Sequence, residues 1–193
     1  MQTIAAFDFD GTVTWRDTLL PFLRFTSKPL LFAWKLLLSL PLLLLLPLRQ
    51  SAKETLLKLF FKNQTLTSVH EQGKAYAQGP LQLQIRPSAL QRLRWHQNQG
   101  HRCILISASI DAYLKPFGEA LGFDEVICSR LAHDDQGCVT GTLIGANCWG
   151  PEKVRRLKEV VGPKNYTLFA YGDSRGDKEL LALADYPFYR AFR

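Results

Sequence analysis

The stretch Phe7-Asp8-Phe9-Asp10-Gly11-Thr12-Val13-Thr14 decides how the chain is read. The apolar run Thr3–Phe9 leads into it, and such a run ending on acidic residues reads as a buried strand of a parallel sheet. Asp8 and Asp10 are two apart on an extended chain. One can therefore present its carboxylate to a site while the other presents its backbone carbonyl.

Working outward, two later strands end in polar groups. Arg102–Ile106 is an apolar strand that runs into Ser107-Ala108-Ser109, and Tyr166–Tyr171 runs into Gly172-Asp173, with Asp177 four residues on. Between them, Pro151 can open a helix over Glu152–Val161 that carries Lys153 in its first turn. Other elements alternate in the same way. A helix from Pro87 to Gln99 precedes the second strand, and a helix over Ile110–Leu121, with a kink or split at Pro116, follows it. Glu125–Cys128 is a short strand, Cys138–Leu143 a hairpin arm, Lys178–Ala184 a helix, and Phe188–Arg190 a last short strand. Strand-helix alternation predicts an α/β fold: a parallel sheet with helices on both faces and ligands at the carboxyl ends of its strands.

Residues 17–85 interrupt that alternation and read as helical throughout. Ser51-Ala-Lys-Glu54 and Ser68-Val-His-Glu71 have the form of capping boxes, and the second helix fades at Gly79-Pro80. Segment 30–48 is leucine-rich, interrupted by Lys35, Ser39, Pro41 and Pro47. As one helix it would be about 28 Å long, close to the hydrocarbon thickness of a bilayer. A single crossing would put Asp8 on one side and Ser107, Lys153 and Asp173 on the other. A break at Pro41 into a helical hairpin, entering and leaving by one face, avoids that. Arg24 and Lys28 before the segment, and Arg49, Lys53, Lys58 and Lys62 after it, suit an anionic cytoplasmic leaflet. The competing expectations are a buried helix pair and a dimer surface.

Composition narrows the classes. With 193 residues, 47% hydrophobic and 21% charged, the chain is neither disordered nor a disulfide scaffold, and one core suffices to fold it. A net charge of +7 favours anionic partners without choosing among them. Basic residues without interleaved aromatic platforms argue against nucleic acid. Cys103, Cys128, Cys138 and Cys148 form no C-x-x-C pair and read as small buried thiols in a reducing compartment. His70, His96, His101 and His133 lack ligand spacing, read as surface or helix-face residues, and give no zinc site. Met1–Phe7 has no basic start of a signal peptide, so the expected location is cytoplasmic.

The carboxylates point to a hard cation. Asp8, Asp10 and Asp173 at adjacent strand ends would repel one another without one, and oxygen donors suit Mg2+. Phosphoryl transfer needs positive charge on the equatorial oxygens and an in-line nucleophile. Mg2+ and Lys153 can supply the charge, and Ser107 with backbone N–H groups near Phe9-Asp10 and Ala108 can complete the cradle. Ser109 reads as the N-cap of the helix that follows.

These four segments, in this order, resemble the haloacid dehalogenase superfamily of phosphohydrolases, in its phosphoserine-phosphatase-like branch. Asp8–Thr14 fits its first signature, Ile104–Ser107 the second, Lys153 the third and Gly172–Asp177 the fourth. The resemblance implies a Rossmann-like catalytic core over 1–16 and 86–193, with 17–85 as an inserted helical cap. It implies Asp8 as nucleophile and metal ligand, supported by Thr12, and Asp10 as general acid/base with its backbone oxygen on Mg2+. Asp173 would be the third protein ligand. Asp177 would hold metal-bound water or Lys153, and Ser107, Ala108 and Lys153 would bind phosphate. Phosphoserine phosphatases often carry Asn before the second acid of the fourth signature, where this chain has Gly176. The leucine-rich cap more loosely resembles the phosphatidylglycerophosphatase C family, which implies a membrane lipid phosphate such as phosphatidylglycerophosphate as substrate. The alternatives are a soluble phosphatase of phosphoserine or another small metabolite, and a catalytically silent membrane-associated adaptor.

Overall fold

The computed structural model describes residues 2–45 and 49–193, with the side chains of 41–50 left aside. Strand β1 (Gln2–Phe7) is followed by a tight loop through Val13 and by four helices: α1 (Leu19–Phe25), α2 (Pro29–Leu45), α3 (Arg49–Phe61) and α4 (Leu66–Gln78). Then come α5 (Pro87–Asn98), β2 (Arg102–Ile110), α6 (Asp111–Ala120) and β3 (Glu125–Ser129). The hairpin β4 (Leu131–His133) and β5 (Val139–Leu143) precedes α7 (Pro151–Val161), β6 (Tyr166–Gly172), α8 (Lys178–Leu183) and β7 (Tyr186–Tyr189).

The main sheet has five strands in the order β3-β2-β1-β6-β7, and each pairing in it is parallel. β1 is central, with Ala6 opposite Ile104 of β2 and Ala170 of β6. Its alternation builds two cores. Ala5 and Phe7 join Leu93 of α5, Phe117 of α6 and Tyr171 on one face. Ile4 and Ala6 join Leu157 of α7 and Leu180 of α8 on the other. Helices on both faces explain why these strands are apolar on both faces. The pairing also aligns the carboxyl ends of β1, β2 and β6 along one edge, where the acidic residues emerge.

Among the described residues, 17–85 are mainly helical as expected, with local differences. Thr65, not Ser68, caps α4: its side chain accepts the Ser68 N–H at 3.2 Å. Ser51 lies inside α3 rather than at its start, and Glu54 accepts the Leu143 N–H at 3.1 Å. Tertiary contact with the β4-β5 hairpin takes the Glu54 carboxylate. Helix α2 runs through Pro41, so the break expected there is absent; the chain between α2 and α3, residues 46–48 with Pro47, lies outside the described residues. Among the described residues no helix is long and apolar enough to cross a membrane. Pro116 is accommodated inside one continuous α6. Close approach fixes Gly73 of α4, where a Cβ would collide with the backbone carbonyl of Ala112 on α6.

The four cysteines are all free, and only Cys138 is partly exposed. His96 departs from the surface reading. It is wholly buried under the sheet, with Nε2 2.9 Å from Tyr171 Oη and Nδ1 2.8 Å from His101 Nδ1. Burial, followed by the nearby His101 and Arg92 charges, pushes its pKa down to about 4. The native protein therefore refuses a proton that the unfolded chain accepts below about pH 6.5. The stabilisation is full above that pH and is lost as pH falls toward 4. In urea titrations, the wild type should lose about 2–3 kcal/mol more than His96→Gln between pH 7.5 and 4.5. Parallel losses in the two proteins would contradict this.

Candidate active site

The chain leaves β1 at Phe7, and Asp8 still follows the ladder, its N–H donating to the Tyr171 carbonyl at 2.9 Å. The loop then closes tightly: Thr14 N–H donates to Phe9 O at 3.0 Å, around Gly11 with a φ of 82°. That left-handed conformation favours glycine, and a Cβ there would lie 2.5 Å from Asp173 Oδ2. The glycine of the motif is thus what lets the first and last acidic segments approach.

Asp8 is buried, with Thr12 Oγ1 donating to Oδ2 at 2.9 Å and Lys153 Nζ to Oδ1 at 2.6 Å. Lys153, delivered by the first turn of α7, also donates to Asp177 Oδ1 at 2.6 Å. Asp177 Oδ2 accepts the backbone N–H groups of Asp173 and Ser174 at 3.1 and 3.0 Å. Burial opposes the charge on Lys153, but Asp8 and Asp177 outweigh it and hold the ammonium above its usual range. Burial works against Asp177 too, yet Lys153 keeps it below the usual carboxylate range. For Asp8 burial wins over Lys153 and pushes the carboxyl up to about 6.

Asp10 turns elsewhere. Thr18 donates to its Oδ1 through N–H at 2.9 Å and through Oγ1 at 2.7 Å, and Ser109 Oγ donates to Oδ2 at 2.5 Å. Tyr113 Oη lies behind both donors, 3.1 Å from Thr18 Oγ1 and 3.0 Å from Ser109 Oγ. Burial, then the charge of Asp17, pushes Asp10 up to about 7. Ser109 is therefore not the N-cap expected of it. β2 continues to Ile110, α6 has no side-chain cap, and the irregularity in β2-β3 pairing between Ile106 and Ile110 spans both serines. Ser107 is buried and accepts the Ser109 N–H at 3.0 Å.

Asp8, Asp10, Ser107, Ala108, Lys153 and Asp173 all line one cavity of about 310 Å3. Asp8, Asp173 and Asp177 each offer a carboxylate oxygen within 4.8 Å of the others. Asp173 Oδ1 is buried without a hydrogen-bond partner among the described residues, and burial raises its pKa against the pull of Arg193. Hard oxygen donors this close, one unsatisfied, fit Mg2+. Asp10, expected to offer its backbone oxygen rather than its carboxylate, has its carboxylate outside this cluster, whereas the Asp177 carboxylate, expected to hold metal-bound water or Lys153, lies within it.

Sequence reasoning passed over Thr18, Tyr113, Lys53 and Arg193, the last of which is ion-paired with Asp173. Thr18 and Tyr113 carry no motif spacing. Lys53 reaches in from α3, donating to Asn147 Oδ1 at 3.0 Å and to the Ala108 carbonyl, and burial lowers its pKa to about 8. Gly176 has a steric reason, because a Cβ there would collide with the indole of Trp149.

The family model described as haloacid dehalogenase-like hydrolase matches residues 5–182. Protein CicA of Caulobacter vibrioides (strain NA1000 / CB15N) is 36% identical over 193 residues, covering 98% of this chain and 86% of that protein. A protein of unknown function from Bordetella pertussis Tohama I superposes with a TM-score of 0.77 at 19% identity, over 94% of this chain and 87% of that one. A phospho-aspartyl intermediate analogue of phosphoserine phosphatase superposes with a TM-score of 0.61 at 18% identity, over 95% and 84%. These last two likenesses show a shared fold.

Lys153→Ala would leave Asp8 and Asp177 buried beside each other without their counter-charge. At pH 8 it should destabilise the protein by about 3–5 kcal/mol, and millimolar Mg2+ should restore part of the loss. Unchanged chemical denaturation would contradict the account.

Proposed function

The chain belongs to the haloacid dehalogenase-like hydrolase family, and from that premise we propose that it hydrolyses phosphate monoesters through an aspartyl-phosphate on Asp8. The observation that carries this reading is the division of labour between two buried acids. Asp8 faces Lys153 and the acidic cluster, while Asp10 faces Thr18 and Ser109 on the same cavity.

In the first step an Asp8 carboxylate oxygen attacks phosphorus, and the bond to the ester oxygen breaks. Asp10, held protonated, gives its proton to that leaving oxygen. In the second step Asp10 takes a proton from water, the hydroxide attacks phosphorus, and Asp8 leaves as carboxylate with inorganic phosphate released. Lys153 and Ser107 bind the phosphoryl oxygens, with backbone N–H groups at Ala108 and Phe9-Asp10 completing the cradle. A Mg2+ ion held by Asp8, Asp173 and the Asp10 backbone oxygen would neutralise phosphoryl charge. Asp177 holds Lys153 in place.

Residues 17–85 then act as a cap over a core of 1–16 and 86–193, excluding water during the transfer. The substrate we favour is a phosphate presented at the cytoplasmic membrane surface, such as a lipid phosphate. Helix α2 supports this. Its inner stripe, with Phe32, Leu36 and Ser39, is covered, whereas Leu30, Leu31, Trp34, Leu37 and Leu38 face outward. Leu30 is 87% exposed, and Arg24 and Lys28, which precede the helix, are exposed as well. Surface helices normally turn polar residues outward. Leu20, Phe25 and the cavity-lining Trp15 are exposed as well.

A phosphate-release screen over lipid and soluble monoesters, with and without Mg2+, tests both levels. Release should require Mg2+, fall at least about 10³-fold in Asp8→Asn, and be accompanied by co-flotation of the protein with anionic vesicles. Metal-independent release, or full activity in Asp8→Asn, would refute the mechanism. Activity on soluble esters alone, without vesicle binding, would refute the lipid reading and favour a small phosphorylated metabolite.

A further inference from the structure

The two oxygens of Asp173 are treated differently by the fold. Oδ1 is buried and unpartnered among the described residues, while Oδ2 is ion-paired with the guanidinium of Arg193. Arg193 is placed there by a well-anchored turn after β7. The Arg190 N–H donates to Gly172 O at 2.8 Å, Arg190 Nε to Asp173 O at 3.2 Å, and Arg193 N–H to Arg190 O at 3.2 Å. The Phe192 ring stacks on Tyr171 with centroids 5.3 Å apart. The Phe192 carbonyl accepts from Arg86 Nη1 at 2.9 Å.

Arg86 is itself buried, and its Nε donates to Thr14 O at 3.0 Å. One arginine thus ties this turn to the loop that carries Asp8 and Asp10. Arg193 also lines the cavity with them. Its placement is built from the strand ends that make the site, so its contact with Asp173 is part of the same construction.

We propose that Arg193 is a positioning residue: by binding Oδ2 it fixes the Asp173 carboxylate so that Oδ1 is offered to the divalent cation shared with Asp8. The inference rests on the cation reading of the site. A carboxylate on a single methylene can swing about its last torsion, and a charge-assisted hydrogen bond to one oxygen removes that freedom. Partners behind a metal ligand commonly set affinity in this way. The opposite arrangement, a guanidinium competing for the cation's place, makes the opposite prediction on removal.

Titration with Mn2+, followed by loss of the free-ion EPR signal, reads affinity without turnover. Wild type should bind Mn2+ and Asp173→Asn should lose most of that binding. Arg193→Ala should bind about 10–100-fold more weakly, and Arg193→Lys should fall between Arg193→Ala and wild type. Binding to Arg193→Ala as tight as, or tighter than, to wild type would overturn the role of Arg193 while leaving the cation site standing. No Mn2+ binding by wild type would overturn both.

Discussion

One buried ammonium organises the molecule's chemistry. Lys153 sits 2.6 Å from both Asp8 and Asp177, and all three side chains are withdrawn from solvent. Two carboxylates so placed would repel each other and could not stay ionised together without it. A buried charge triad of this kind contributes little net stability, because desolvation offsets the attraction. What it contributes is geometry. α7 has to begin where Lys153 can reach β1, and the turn after β6 must return Asp177 to the same point. Gly11 lets the two acidic loops approach, and Gly176 leaves room for Trp149 beside them.

The parallel sheet supplies the rest of the placement. With β1 between β2 and β6, three strand ends meet at one edge, and residues distant in sequence become neighbours. Other segments then add contacts to that edge. Lys53 arrives from α3, the β4-β5 hairpin docks on α3, and the turn after β7 brings Arg193. In the proposed reaction these pieces have separate tasks: the core holds phosphoryl and cation, and the helical insertion covers them and meets the substrate.

The parts legible in sequence are those whose meaning is local. Asp8–Thr14 is read because strand, acids and glycine lie in one continuous stretch, and the alternation of later elements follows from apolar runs and turn residues. The parts that were not legible depend on partners far along the chain. Ser109 stands where a serine normally caps a helix, and only the continuation of β2 to Ile110 turns it toward Asp10. Ser51 and Glu54 have the spacing of a capping box, but the hairpin claims Glu54. His96 shares a helix with exposed residues, and its burial depends on Tyr171 lying beneath it. Arg193 carries no motif; its meaning depends on where β7 ends.

The central claim is that Asp8 captures phosphorus. Its most direct test is acid quenching during turnover with a phosphate monoester, borohydride reduction of any acyl phosphate, and peptide mass spectrometry. The account predicts homoserine at position 8 and nowhere else, dependent on substrate and on Mg2+. Turnover that continues while position 8 remains unmodified aspartate, or reduction at another acidic residue, would contradict it.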